Sequence, residues 1–438
     1  MLDIAYIRSE GFRRYFANTS WLVAEKVVRI GVAFFVGIWV ARYLGPERFG
    51  LLSYAISLVA LFSAVASLGM DEIVVKELVE NPNQRNILLG TSFVVRGMGA
   101  VLVLALVYLV LALTSTDHYT KVLVLIIAGG MLFQSASVIS FYFQAQVLAK
   151  LNAIALFSSL VVSSAFKITL ILAGAPLLYF AVAVVIESVV LAFSLIFIYT
   201  GLNLGPSKWR FSKPLASQLL RSSWPLMLAG IAIMIYMRID QVMIKAMLGN
   251  EAAGNYAAAV RVSEAWYFIP VAICSSLFPA IIKSKEISED DYYSKLQKVY
   301  DLVVWLAIAI AIPVTVLADI AILVLFGPQY HAASSVLKIH IWAGVFVFLG
   351  VASGKWYVVE NLQRYSFYRT LAGAVVNVFL NFLLIPRMGI TGAALATVVS
   401  YFTAAYLSVV FSKHSRKNFW IATKSFNPVA AQRRLFHD

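Results

Sequence analysis

Long apolar runs alternate with short polar clusters along the whole chain. A membrane-spanning helix needs about 20 apolar residues. Dividing the chain at Gly, Pro, Asn and charge clusters predicts twelve such spans, at roughly 17–41, 49–70, 87–113, 120–148, 152–174, 176–200, 219–247, 252–282, 296–318, 332–358, 366–385 and 390–412. The pattern is weakest over 296–331, where Pro313, Asp319 and Gly327-Pro328 interrupt it, and a helix followed by a short re-entrant or interfacial piece is expected there. A polar stretch at 201–218, with Gly205-Pro206 and Lys213-Pro214, separates six spans from six. Residues 1–16 read as an amphipathic cytoplasmic N-terminus and 413–438 as a basic cytoplasmic tail.

One motif occurs twice. Leu44-Gly45-Pro46-Glu47-Arg48-Phe49-Gly50 and Leu248-Gly249-Asn250-Glu251-Ala252-Ala253-Gly254 both keep Leu-Gly-x-Glu-x-x-Gly, each between the first and second spans of its half. A duplicated membrane unit points to a transporter with its site between the repeats, and because six is even the two halves enter from the same side as parallel repeats. A weaker echo is Leu148-Ala149-Lys150 against Leu362-Gln363-Arg364.

Composition agrees with a membrane protein. Hydrophobic residues make up 61% and charged residues 13% of the chain, and its mean hydropathy is +0.85, against about half and a quarter in ordinary soluble domains. The first residues carry Arg8, Arg13 and Arg14 but no apolar core or cleavage site, so the first hydrophobic segment is expected to stay as a span. The net charge of +14 could suggest nucleic acid, but its distribution argues otherwise. Counted together with the span ends that border them, the N-terminus, the even-numbered loops and the tail hold 23 Lys and Arg, and the odd-numbered loops hold six. That bias places both termini in the cytoplasm and leaves nucleic-acid binding no role. The lone Cys274 can form no intramolecular disulfide and reads as a small core hydrophobe.

Charges deep in a span normally face a cavity or one another. Here they concentrate on spans one, seven and eight as Glu25, Lys26, Arg29, Arg238, Asp240, Arg261 and Glu264. Arg29, Arg238 and Arg261 lie nine to twelve residues from the nearer end of their spans, too deep to snorkel. Arg96 and Lys167 read instead as snorkelling side chains. Local pairing of Glu25 with Arg29 and of Arg261 with Glu264 is one account of the central group. It cannot serve Arg238 and Asp240, which two residues apart face nearly opposite ways and need partners on other helices. Four bases against three acids, with arginine forks suited to phosphate, make a cavity for an anionic substrate the expectation.

Val40-Ala41-Arg42-Tyr43-Leu44-Gly45-Pro46-Glu47-Arg48-Phe49-Gly50, Arg238-Ile239-Asp240-Gln241-Val242-Met243-Ile244, Ala253-Gly254-Asn255-Tyr256-Ala257 and Leu325-Phe326-Gly327-Pro328-Gln329-Tyr330 resemble the Wzx-type polysaccharide-biosynthesis flippases. These belong to the multidrug/oligosaccharidyl-lipid/polysaccharide exporter (MOP) superfamily. The resemblance implies an all-α integral membrane protein of about twelve transmembrane helices in two parallel six-helix lobes around a central cavity. The lobes would be 17–200 and 219–412, joined by a cytoplasmic linker at 201–218. It implies transport, by alternating access, of undecaprenyl-pyrophosphate-linked oligosaccharide repeat units of O-antigen, capsule or exopolysaccharide. The direction would be from the cytoplasmic to the outer leaflet of the bacterial inner membrane. In the related lipid II flippases, arginines on spans one and eight bind the pyrophosphate. Arg29 and Arg261 match in position, with Lys26 nearby and Glu264 beside Arg261. Span two departs, since its Arg48 sits at the outer mouth, and Arg238 is the residue that would substitute.

Those relatives also hold sodium with an acid on span seven, an Asn-x-x-x-Asp pair on span eleven and a threonine on span twelve. This chain offers Asp240, Asn377, Asn381 and Thr397, at agreeing depths of about 10–13 Å by residue count. Asn381 replaces an acid, so coupling to Na+, coupling to H+ and no coupling all stay open. Interhelical hydrogen bonding is the other reading of the asparagine pair. No cofactor or metal is expected. The partners implied are the lipid-linked oligosaccharide, membrane lipids and polysaccharide-assembly proteins such as a polymerase, with the protein working as a monomer.

The five histidines are scattered, no Ser/His/Asp grouping appears, and Gly350-Val351-Ala352-Ser353-Gly354-Lys355-Trp356 lacks the pattern of a phosphate-binding loop. An enzyme is therefore not expected. A membrane polymerase or ligase would call for a large outer loop, and an ion-coupled multidrug exporter of the same fold for an acid-dominated cavity.

Overall fold

The computed structural model describes residues 10–410 and 415–436. Of the amphipathic N-terminus expected at 1–16, residues 1–9 lie outside this description, as do the side chains of residues 10–27, Glu25 and Lys26 among them. Among the described residues there is no strand, and eleven helices are long and apolar enough to cross a membrane. The first of these, Val28–Leu61, breaks at Gly45 (φ 71°, ψ 168°). It therefore serves as spans one and two and brings the total to twelve, in the order and close to the places that the hydropathy pattern predicts. Helices are expected for a simple reason: within hydrocarbon each backbone N–H and C=O must be satisfied inside its own segment.

The repeated motif has a geometric explanation. Gly45 and Gly249 both take positive φ, 71° and 91°, a conformation that glycine adopts without steric cost. Each ends one helix, and the next begins at once: Pro46 opens span two, and the helix Asn250–Glu264 opens span eight. Glu47 and Glu251 fall in the first turns of those new helices, where an acid complements the helix dipole. The last glycines of the two copies meet each other. A Cβ on Gly50 would lie 1.8 Å from the Asn250 carbonyl oxygen, and one on Gly254 would lie 1.8 Å from that of Pro46. The two helices thus cross backbone to backbone, and only glycine fits at the crossing.

The chain divides into two compact units, Met1–Tyr43 with Ala55–Met234, and Leu44–Tyr54 with Ile235–Asp438. In the first, spans three to six pack with the C-terminal part of span two and the N-terminal part of span seven around a core that includes Met70, Leu89, Phe143, Tyr199 and Leu219. Gly69 (φ 64°) closes span two against the backbone of Leu226 and Met227. The connection after span six is fastened to the start of span three, where Arg210 N donates to the Asn86 carbonyl and Ser212 N to Thr91 Oγ1. Arg96 does not snorkel as expected. It is buried, stacks 5.2 Å over the Phe141 ring and forms an ion pair with Asp71, which opens a short helix after span two. Lys167 likewise pairs with Glu187 on the next span at 3.1 Å. In both cases a neighbouring helix supplies the counter-charge.

The second unit contains the hairpin of the first motif, span seven from Ile235 onward and spans eight to twelve. The region 296–331 resolves into a continuous span nine, Glu289–Val316, a short helix Ala318–Phe326 and a turn at Pro328–Tyr330. The expected tail is helical over Arg416–Ser425 and Pro428–Phe436. It is bound to span nine by polar contacts that sequence reading passed over: Arg434 grips the fully buried Asp301 through two hydrogen bonds of 2.7 and 3.1 Å. Gln297 donates to the Ile421 carbonyl at 3.1 Å.

Gly254→Ala would press a methyl group against the Pro46 carbonyl. Such overpacking costs about 1–3 kcal/mol, expected as a lowered unfolding midpoint of the purified protein. Gly97→Ala, which meets nothing within 4 Å, should leave the midpoint unchanged or raise it. Equal midpoints for the two variants would contradict a tight crossing.

Candidate functional site

The candidate residues of the second unit lie on spans seven, eight, eleven and twelve. Gly373 sets their level. A Cβ there would sit 3.0 Å from the Tyr236 ring and 3.2 Å from the Ser400 carbonyl, so spans seven, eleven and twelve meet in one layer. One helical turn from that layer, toward the Gly249 and Gly389 turns, come Asp240, Asn377 and Thr397. Their exposures are 4%, 0% and 2%.

Asp240 is held by donors. The Tyr256 hydroxyl of span eight donates to Oδ2, and Gln241 N donates to Oδ1 at 2.7 Å. Thr397 Oγ1 stands 3.4 Å from Oδ2 and 3.2 Å from the Tyr256 hydroxyl. Asn381 Nδ2 donates to Asn377 Oδ1 at 3.0 Å, while Asn377 Nδ2 and Asn381 Oδ1 have no partner among the described residues. The cluster therefore sets one carboxylate, two hydroxyls and two amides in the membrane interior. Unmet amide groups of this kind cost free energy and can receive a small polar ligand. Among the described residues no group of three or more His, Cys, Asp or Glu side chains could hold a metal ion.

Arg238, on the opposite face of span seven, reaches Glu264 of span eight at 3.4 Å, with side chains 33% and 20% exposed. Glu264 thus pairs across helices, not with Arg261 along its own. Arg261 instead lies with its guanidinium 5.8 Å from the Phe49 ring, a residue of the crossing hairpin. Lys245 lies 4.7 Å from the Tyr54 ring. Arg29 is an exposed residue of span one in the first unit, and the Lys26 side chain lies outside the described residues.

Several neighbours went unnoticed in the sequence. Tyr256 stands in a quoted motif, but its link to Asp240 is formed only in the fold. His340 of span ten is buried, 2.9 Å from Ser263 Oγ, with its ring edge-on to Tyr256 at 5.9 Å. Span eight is interrupted: the helix stops at Glu264, turns through 265–267 and resumes at Phe268. Pro270 explains the break, because it has no N–H for the Trp266 carbonyl and its ring crowds that group. Ile269 N bonds to Trp266 O instead, at 3.0 Å. Broken helices recur at transporter sites near the midplane.

Comparison with known proteins identifies the group. Residues 15–285 match the family model described as polysaccharide biosynthesis protein. The chain belongs to this family. It is 23% identical over 406 residues to the lipid III flippase of Escherichia coli K12, an alignment covering 87% of this chain and 95% of that protein. It is 27% identical over 184 residues to the probable flippase AglR of Haloferax volcanii, covering 40% of this chain and 38% of the relative, so that likeness spans well under half of either protein. Its fold matches that of the lipid II flippase MurJ in an inward closed conformation, with TM-score 0.73, 15% identity and coverage of 92% and 90%. An inward-facing multidrug resistance MATE transporter of the MOP superfamily matches equally, with TM-score 0.73, 13% identity and coverage of 91% and 96%. The protein thus has the MOP-superfamily fold, all-helical and two-lobed.

Tyr256→Phe removes a donor from a buried carboxylate and should lower stability by about 1–3 kcal/mol, read from unfolding of the purified protein. In an Asp240→Asn background the same change should cost measurably less. Equal losses in both backgrounds would show that the hydroxyl does not serve Asp240.

Proposed function

We propose that this protein is a flippase that carries undecaprenyl-pyrophosphate-linked oligosaccharide repeat units, as used for O-antigen, capsule or exopolysaccharide, from the cytoplasmic to the outer leaflet of a bacterial inner membrane. The observation that carries the reading is the placement of arginine in the second unit: Arg238 pairs with Glu264 at 3.4 Å, whereas Arg261 rests by the Phe49 ring with no ion pair among the described residues. Arg261 is therefore the group left to meet an anion, and the arginine fork matches phosphate oxygens. Family membership and the nearly full-length alignment to a lipid III flippase support a lipid-linked glycan as cargo. Arg29, with Lys26, would contribute from span one, and both termini would face the cytoplasm.

Transport would proceed by alternating access. In this reading the Gly50–Gly254 crossing is the outer closure, and release of the 44–54 hairpin from spans seven and eight opens the outer side. The Asp240, Asn377, Asn381 and Thr397 layer would take the coupling ion, Na+ or H+. The fold is shared with MATE transporters, so an ion-coupled multidrug exporter is the second reading. Cationic drugs, however, suit an acid-dominated cavity rather than one that presents an arginine without a carboxylate partner. We read the chain as a transporter and not as an enzyme.

Arg261→Ala and Arg29→Ala should each abolish surface-polysaccharide assembly in a strain lacking the wild-type gene, with folded protein still present in the membrane. Full complementation by both variants would end the phosphate-binding assignment. Asp240→Asn should weaken the dependence of transport in proteoliposomes on an imposed Na+ or H+ gradient, and a gradient response equal to that of the wild type would remove Asp240 from coupling.

A further inference from the structure

The C-terminal helices have one face that is bound and one that is not. On Arg416–Ser425, Asn418, Ile421, Ala422 and Ser425 are buried at helical spacing against the lobe. Tyr300 donates to Asn418 at 2.5 Å, Asn418 donates to Ser353 at 2.6 Å, and Trp305 donates to the Ser425 carbonyl at 2.9 Å. With the Arg434–Asp301 pair, these bonds make the segment a fixed part of the second unit rather than a loose tail. Its start is also tied to the end of span twelve, where Ser415 Oγ donates to the Val409 carbonyl at 2.8 Å.

The other face carries Arg416, Trp420 and Lys424, spaced four residues apart and so aligned in one stripe, with Trp420 59% exposed. Arg433 is exposed on the next helix, as is Val429 at 61%. Residues 416–436 contain five basic side chains and no acidic one. Two of the five are engaged, Lys417 by Glu289 at 2.9 Å and Arg434 by Asp301. Arg416, Lys424 and Arg433 have no acidic partner among the described residues. A cavity of about 800 Å³ between these helices and the start of span nine is lined by Tyr293, Trp420 and Lys424, with Glu289, Asp290 and Lys417.

We propose that this face binds the headgroups of anionic phospholipids in the adjoining leaflet. The chemistry is that of an interfacial anchor: an indole at headgroup level, flanked by cations that attract a negatively charged surface. Basic residues that only set topology need no fixed geometry, whereas here a buried polar network holds them in a row at the membrane edge. The role is separate from cargo recognition and stands whether or not the flippase reading holds.

The test uses the full-length protein in lipid nanodiscs of pure phosphatidylcholine and of phosphatidylcholine with one-third phosphatidylglycerol. The wild type should unfold at higher temperature in the anionic discs, and high salt should erase the difference. Combined Arg416→Gln, Lys424→Gln and Arg433→Gln should remove that increment while leaving the midpoint in phosphatidylcholine unchanged. Retention of the full increment by the triple variant, or no increment in the wild type, would overturn the proposal. So would a shift in pure phosphatidylcholine discs produced by millimolar inorganic phosphate, which would assign the cavity to a soluble anion. A second measurement does not depend on those variants. Brominated phosphatidylglycerol should quench wild-type tryptophan emission more than that of Trp420→Phe, and equal quenching would contradict placement of the indole among the headgroups.

Discussion

The second unit is organised by the contact between two glycines. Gly50 and Gly254 let two helices approach until a single added carbon would overlap a carbonyl oxygen on the partner. That approach brings the 44–54 hairpin into the compact unit formed by the second half of the chain. It also sets Phe49 beside Arg261 and Tyr54 beside Lys245. In a membrane, where apolar side chains gain little by leaving lipid, small residues that permit close backbone contact are a principal means of holding helices together.

A second constraint is the expense of charge in hydrocarbon. Every intramembrane ion pair described here reaches across helices: Arg96 to Asp71, Lys167 to Glu187 and Arg238 to Glu264. Each satisfies the charges and also fixes which helices are neighbours. Asp240 departs from this pattern, since hydroxyl and backbone donors hold it instead of a cation. Together with two asparagines whose amides are incompletely met among the described residues, it forms a polar layer on which the proposed coupling role rests.

The spans were legible in the sequence because hydropathy at a length of about 20 residues is a strong signal. Even the ambiguous stretch around Pro313 and Gly327 yielded the expected helix and short following piece. The repeated motif was visible, and the separate duties of its glycines needed three dimensions to see. What the sequence hid were partnerships set by distance along the chain. Arg96 and Asp71 are 25 residues apart, and Asp240 and Thr397 are 157 apart, so helical periodicity gave no hint of either. Two local signals went unread. Pro270 foretold the break in span eight, and Gln297 with Asp301, four apart within an apolar helix, marked the docking face for the C-terminal helices.

The central claim is that the membrane interior of this fold recognises a lipid-linked pyrophosphate glycan and carries it across. Reconstitution into liposomes with a fluorescent undecaprenyl-pyrophosphate oligosaccharide, followed by addition of a membrane-impermeant quencher, tests it most directly. The account predicts that the protein moves the labelled lipid between leaflets far faster than empty liposomes do, and that an analogue bearing a neutral linkage in place of the pyrophosphate neither crosses nor competes. Movement of the neutral analogue at the same rate, or no movement of the glycan alongside export of a cationic drug, would contradict it.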